Sequence, residues 1–99
     1  MEEVKRVLSE IRRISSAEDM IVYALKREGT SDRVRGVNVC VIADTADKSA
    51  LEREIYLEIE SDLAFYVMIY TPEEWENLLL DPQSYASRIA EKGREYGRA

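Results

Sequence analysis

The chain reads as an α/β domain of three strands and four helices, on three observations. Apolar residues recur every three or four positions from Glu2 to Ser15, the mark of an amphipathic helix. The runs Met20–Leu25, Val37–Ala43 and Leu63–Tyr70 are short and rich in β-branched or aromatic residues, the mark of strands. Thr71-Pro72-Glu73-Glu74 and Asp81-Pro82 each pair a capping side chain with proline, the mark of helix starts.

The first helix, over 2–15, gathers Val4, Val7, Leu8, Ile11 and Ile14 on one face. Glu2, Lys5, Arg6, Glu10, Arg12 and Arg13 occupy the other, with Glu2 and Arg6 spaced to pair at i,i+4. Ser15-Ser16 and the acidic pair Glu18-Asp19 end it. The first strand follows at Met20–Leu25, and a basic loop carries the chain to the second, Val37–Ala43. That second run is almost continuously apolar, which suits a central strand covered on both faces. Asn38 is its one polar side chain, either the exposed beginning of the strand or a pocket residue.

Ser49-Ala50-Leu51-Glu52 reads as a capping box opening a helix that sets Leu51, Ile55 and Ile59 on one side. The same segment, EIYLEIE, also alternates with period two and so fits a strand. Its Glu and Leu content, and the short stretch left for a turn before Leu63, favour the helix. After the third strand, Thr71 caps a helix in which Trp75, Leu78 and Leu79 return apolar surface to the core. Asp81-Pro82 then opens a last helix with Tyr85, Ala86, Ile89 and Ala90, which Gly93 ends.

At 99 residues the chain is expected to form one domain, 1–99, burying roughly 60 to 70 per cent of its unfolded surface. The first twenty residues carry charges every few positions and contain no apolar run, so neither a signal peptide nor a membrane span is expected and the cytoplasm is the expected location, with no membrane partner. Cys40, the single cysteine, lies in the apolar run and reads as a buried thiol. The chain contains no histidine, which removes Ser–His and Cys–His dyads and, with one cysteine, argues against a zinc site. A net charge of -6 repels nucleic acid at long range, so nucleic acid is an unlikely partner. Against that balance Lys26, Arg27, Arg33 and Arg35 crowd the first loop, offset by Glu28 and Asp32. The cluster reads either as a solvated surface loop or as an anion site.

The stretch from Met20 to Asp44, with the phrase YTPEEW after the third strand, resembles the minimal nucleotidyltransferases of the DNA polymerase beta superfamily. The apolar strand before Ala24, the loop glycine Gly29, the Gly36 position and VNVCVIAD follow that family's frame in order. The resemblance implies a small three-stranded mixed sheet covered by about four helices. It also implies where the chemistry belongs. The family's Gly-Ser falls on Ala24-Leu25, its Asp-x-Asp on Gly36-Val37-Asn38, and its third carboxylate on Tyr66. Asp-x-Asp works because alternate strand residues share a face, so two carboxylates converge on Mg²⁺. Gly36 has no side chain, Asn38 offers one neutral carbonyl, and Leu25 presents a branched alkyl group where a hydroxyl belongs.

The expected function is therefore that of a catalytically degenerate nucleotidyltransferase-like domain, not an enzyme and needing no cofactor. It would act by binding a protein partner, of the kind active relatives pair with in toxin–antitoxin systems, or by self-association. Tyr56, Tyr85 and Tyr96 are the aromatic candidates for such a surface. Two other readings stay open. One is a metal-independent nucleotide or anion binder using Lys26, Arg27, Arg33 and Arg35. The other is an active enzyme taking Mg²⁺ and a nucleoside triphosphate, with carboxylates relocated to residues such as Asp32 and Asp62.

Overall fold

The computed structural model describes residues 2–30 and 33–96. Four helices pack on a three-stranded mixed sheet: α1 (Glu2–Ser15), β1 (Asp19–Arg27), β2 (Val34–Ile42), α2 (Lys48–Glu58), β3 (Ala64–Tyr70), α3 (Pro72–Leu79) and α4 (Tyr85–Tyr96). The sheet order is β1-β2-β3, with β2 antiparallel to β1 and parallel to β3. A parallel pair requires a crossover, and α2 supplies it. Asp32 and Tyr96 carry expectations that cannot be followed, since Asp32 and the side chain of Tyr96 lie outside the described residues.

Because strand side chains alternate, the sheet has two differently used faces. Val22, Val37, Val39, Val41 and Val67 point to one side, where Val4, Val7 and Ile11 of α1 and Ile55 of α2 close a core. Ile21, Tyr23, Cys40 and Ile42 point to the other, where Trp75 of α3 and Ala86 and Ile89 of α4 close a second. α1 ends at Ser16, which takes a left-handed φ of 52° and donates its N–H to the Arg12 carbonyl at 2.9 Å.

Several local expectations are corrected. Arg6 pairs with Glu3 instead of Glu2, through Nε to Oε1 at 2.9 Å and Nη2 to Oε2 at 2.8 Å. Glu3 wins because its carboxylate also accepts from the Ser61 hydroxyl, while Arg6 donates to the Glu60 carbonyl at 2.6 Å. Those bonds tie the start of α1 to the turn before β3. Residues 48–58 are helical, as favoured, but the cap is Asp47, which accepts the Ala50 N–H at 3.0 Å, and not Ser49. The box at Thr71 forms as expected: Glu74 N–H reaches Thr71 Oγ1 at 3.2 Å and Thr71 N–H reaches Glu74 Oε1 at 2.9 Å.

The segment after it departs further from expectation. Of the three residues meant to return to the core, only Trp75 does, tilted against Tyr70 at 5.5 Å between ring centroids. Leu78 and Leu79 share the face of Trp75 at i+3 and i+4, but they stand in the last turn of the eight-residue α3 and are each 38% exposed. Asp81-Pro82 forms a turn, with Asp81 accepting from the N–H groups of Gln83 and Ser84, and α4 starts later. Ser84 takes the capping role, its Oγ accepting the Ser87 N–H at 3.1 Å. Gly93 does not end α4 but lies inside it. Its role is close approach: a Cβ there would overlap the Cγ2 methyl of Ile21 on β1.

Among the described residues, no helix is long and apolar enough to cross a membrane.

Candidate functional site

The register of the sheet decides which of the residues singled out above are neighbours. Ala24 lies opposite Asn38 and Asn38 beside Tyr66, one row across all three strands. Lys26, Gly36 and Ala64 make the next row. Asn38 and Tyr66 lie two residues from Cys40 and Met68, so both rows belong to the face that α3 and α4 cover elsewhere. Leu25 belongs to the row with Val37 and Phe65, and it packs into the core under α1 and α2. It fills no groove beside Ala24.

This half of the face is open. Tyr66 is 48% exposed and Ala64 and Lys26 are exposed, while Ala24 and Asn38 are half-buried. The helices stop short because α4 begins at Tyr85, whose ring meets Tyr23 edge-on at 6.3 Å and 85°. Tyr23 sits at a register shift between Val22 and Ala24, a bulge that turns its ring under α4. Its hydroxyl is buried beside Tyr85 without completing a hydrogen bond, and burial pushes the phenol above its ordinary range. Gly36 is roofed by the stem of Lys26, whose Cβ and Cδ would lie 3.6 Å from a Cβ added there.

The chemistry available on these two rows is narrow. Asn38 supplies one amide, Tyr66 a phenol and Lys26 an ammonium group, and no carboxylate is present. Mg²⁺ prefers a near-octahedral set of oxygens with at least one carboxylate, and this donor set does not fit it. Among the described residues, no group of three or more Cys, Asp or Glu side chains could hold a metal ion. Asp62, one of the relocated carboxylates considered from sequence, instead lines a cleft with Glu3, Glu28, Arg33 and Arg35.

That cleft, of about 630 Å³, is where half of the basic cluster goes. Strands longer than expected have split the cluster: Lys26 and Arg27 lie on β1, Arg35 lies at the start of β2, and Arg33 alone is in the turn. Ladder pairing at Lys26–Gly36 and Arg27–Val34 extends the hairpin through residues that read as loop, because long side chains there still reach water. Arg33 Nε stands 4.0 Å from Glu28 Oε2, and Glu3, Glu28 and Asp62 set three carboxylates against Arg33 and Arg35 in the cleft. Glu3 itself is held well down, to about 2, by its hydrogen bonds from Arg6 and then Ser61. The cleft is thus charge-mixed and not a cationic cradle.

No family model, curated protein or solved structure matches this chain.

Two features of this region carried no signal in the sequence. Tyr23 read as one more strand aromatic, and only the bulge gives it its place under Tyr85. The open face itself depends on where α4 starts, which the Asp81-Pro82 pattern put too early.

Proposed function

We propose that this domain is a nucleotidyltransferase-like binding module whose work is to hold a protein partner against the open half of its sheet. The observation that carries the reading is the pair of rows Ala24–Asn38–Tyr66 and Lys26–Gly36–Ala64. The positions to which the resemblance assigns metal-binding groups stand side by side on one accessible face without a carboxylate. Tyr66 and Tyr85, each about half exposed, are of the residue type that protein interfaces favour. The polar groups of the two rows are one amide, one phenol and one ammonium group, with no carboxylate to hold a metal-bound nucleotide.

Calorimetry with ATP and GTP, with and without Mg²⁺, tests the loss of nucleotide chemistry. No heat is expected under either condition. Binding that requires Mg²⁺ would refute the reading, and binding indifferent to metal would favour an anion site at Lys26, Arg27, Arg33 and Arg35. The interaction itself is tested by affinity capture from the native host with the wild-type chain and with Tyr66→Ala and Ala24→Arg. Both variants are expected to lose a partner that the wild type retains. A partner retained equally by all three would place the interface elsewhere.

A further inference from the structure

Among the described residues, strand β3 is an edge of the sheet, with β2 as its one neighbour. The Tyr70 carbonyl accepts the Ala43 N–H at 3.0 Å, so residues of that parity turn their backbone groups toward β2. Phe65, Val67 and Ile69 turn theirs outward. Natural edge strands guard such a row with charges, proline or a bulge. The strand AFYVMIY has no charge and no proline, and its register with β2 is unbroken from Ala64 to Tyr70.

The guard comes from α2. Tyr56 stacks on Phe65 with ring centroids 5.3 Å apart and planes 14° from parallel, and its hydroxyl accepts the Val67 N–H at 2.8 Å. One side chain, 38% exposed, thus occupies the middle of the edge. A rotamer change would release it.

We propose that β3 is a self-association edge gated by Tyr56: with Tyr56 displaced, β3 pairs antiparallel with β3 of a second copy about a two-fold axis at Val67. The strand is its own complement in that register. Val67 meets Val67 of the second copy, Phe65 meets Ile69, and Tyr66 meets Met68: all three pairs are uncharged, and the last two are of the aromatic–aliphatic kind that stabilises strand pairing. The flank is complementary as well. Ser49, Glu52, Arg53 and Leu57 line with Tyr56 a groove of about 410 Å³, and Leu57 is 76% exposed. Tyr56 reaches the edge, so this groove lies on the same side, and a two-fold axis there faces α2 with its mate. Glu52 and Arg53 give each copy one charge of each sign to set against the other. The inference uses the edge and not the open face, so it stands or falls separately from the binding reading above.

The test combines sedimentation equilibrium of the wild type and Tyr56→Phe with oxidative cross-linking of Tyr66→Cys mixed with Met68→Cys. Tyr56→Phe keeps the ring and removes the hydroxyl, so neither copy gives up a hydrogen bond on pairing. A dimer dissociation constant at least about tenfold lower is expected. In the proposed register residues 66 and 68 of opposite copies form a non-hydrogen-bonded pair, with Cα atoms about 4.5 Å apart and within disulfide reach. The mixture is expected to give a disulfide-linked heterodimer, and each variant alone none, because Cys40 is buried. Unchanged sedimentation of a folded Tyr56→Phe overturns the gate. If that variant fails to fold, the cross-link decides, since both cysteine chains keep Tyr56. Absence of the heterodimer at high concentration, or equal linking in each variant alone, overturns the edge.

Discussion

Gly93 of α4 lies close against Ile21 of β1, and the contact makes a sharp prediction. Gly93→Ala places a methyl on Ile21 Cγ2, while Ile21 Cβ, at 3.8 Å, stays at ordinary contact distance. The conflict is confined to one methyl, but that methyl is on a β-branched side chain 1% exposed on β1, with one preferred rotamer and no free space to enter. Relief requires α4 to lift from the sheet or Ile21 to leave its rotamer, a cost of about 1–3 kcal/mol for overpacking. Replacing glycine by alanine in a helix returns up to about 1 kcal/mol, less near a C-terminal end. The balance is a loss of about 1–2 kcal/mol, which in a domain of this size lowers Tm by roughly 4–8 °C per kcal/mol. Urea unfolding followed by circular dichroism measures it, as a lower midpoint at unchanged slope. The decisive comparison is the same substitution in an Ile21→Ala background, where the overlapping methyl is gone. There Gly93→Ala becomes neutral or stabilising, and the change of sign is the coupling between the two sites. An alanine that stabilises the wild type would show that the helix does not lie against β1 as described.

Thr71→Ala removes one half of the capping box and is expected to cost about 1 kcal/mol in the same unfolding assay, with Thr71→Ser largely restoring it. Glu3 has a folded-state pKa held to about 2, below its ordinary 4.5, so its stabilisation is complete above the unfolded value and is lost as pH falls toward 2. The stability gap between wild type and Glu3→Gln should therefore be constant near neutrality and close between about pH 4.5 and 2; a gap unchanged at pH 2 would disprove the link to Arg6 and Ser61. Burial pushes the Cys40 thiol up to about 12. A thiol reagent at pH 8 should label it only as fast as the domain unfolds, and rapid labelling without denaturant would contradict its place under α4.

The local sequence was enough wherever a single element decided the outcome. Spacing of Val4, Val7 and Ile11 fixes the inward face of α1, since a helix can bury only one stripe. Thr71-Pro72-Glu73-Glu74 fixes the start of α3, because the cap is a bond between residues three apart. The three apolar runs are strands for the same local reason, whereas the directions in which they pair are not written in the runs themselves.

Tertiary structure decided whatever depends on a neighbour distant in sequence. Gly93 looks like a helix terminator until Ile21 is seen beneath it, and Leu78 and Leu79 look like core until the last turn of α3 is seen to stand partly in solvent. Arg6 takes Glu3 over Glu2 only because Ser61 and Glu60 come alongside. The functional surfaces are of this kind as well. Spacing along the chain does not reveal that Ala24, Asn38 and Tyr66 form one row, that Leu25 faces away from it, or that Tyr56 reaches the Val67 amide. Periodicity encodes which side of an element is apolar, a property of residues a few positions apart. Strand register and helix docking join residues tens of positions apart, and only the packed chain determines which of them meet.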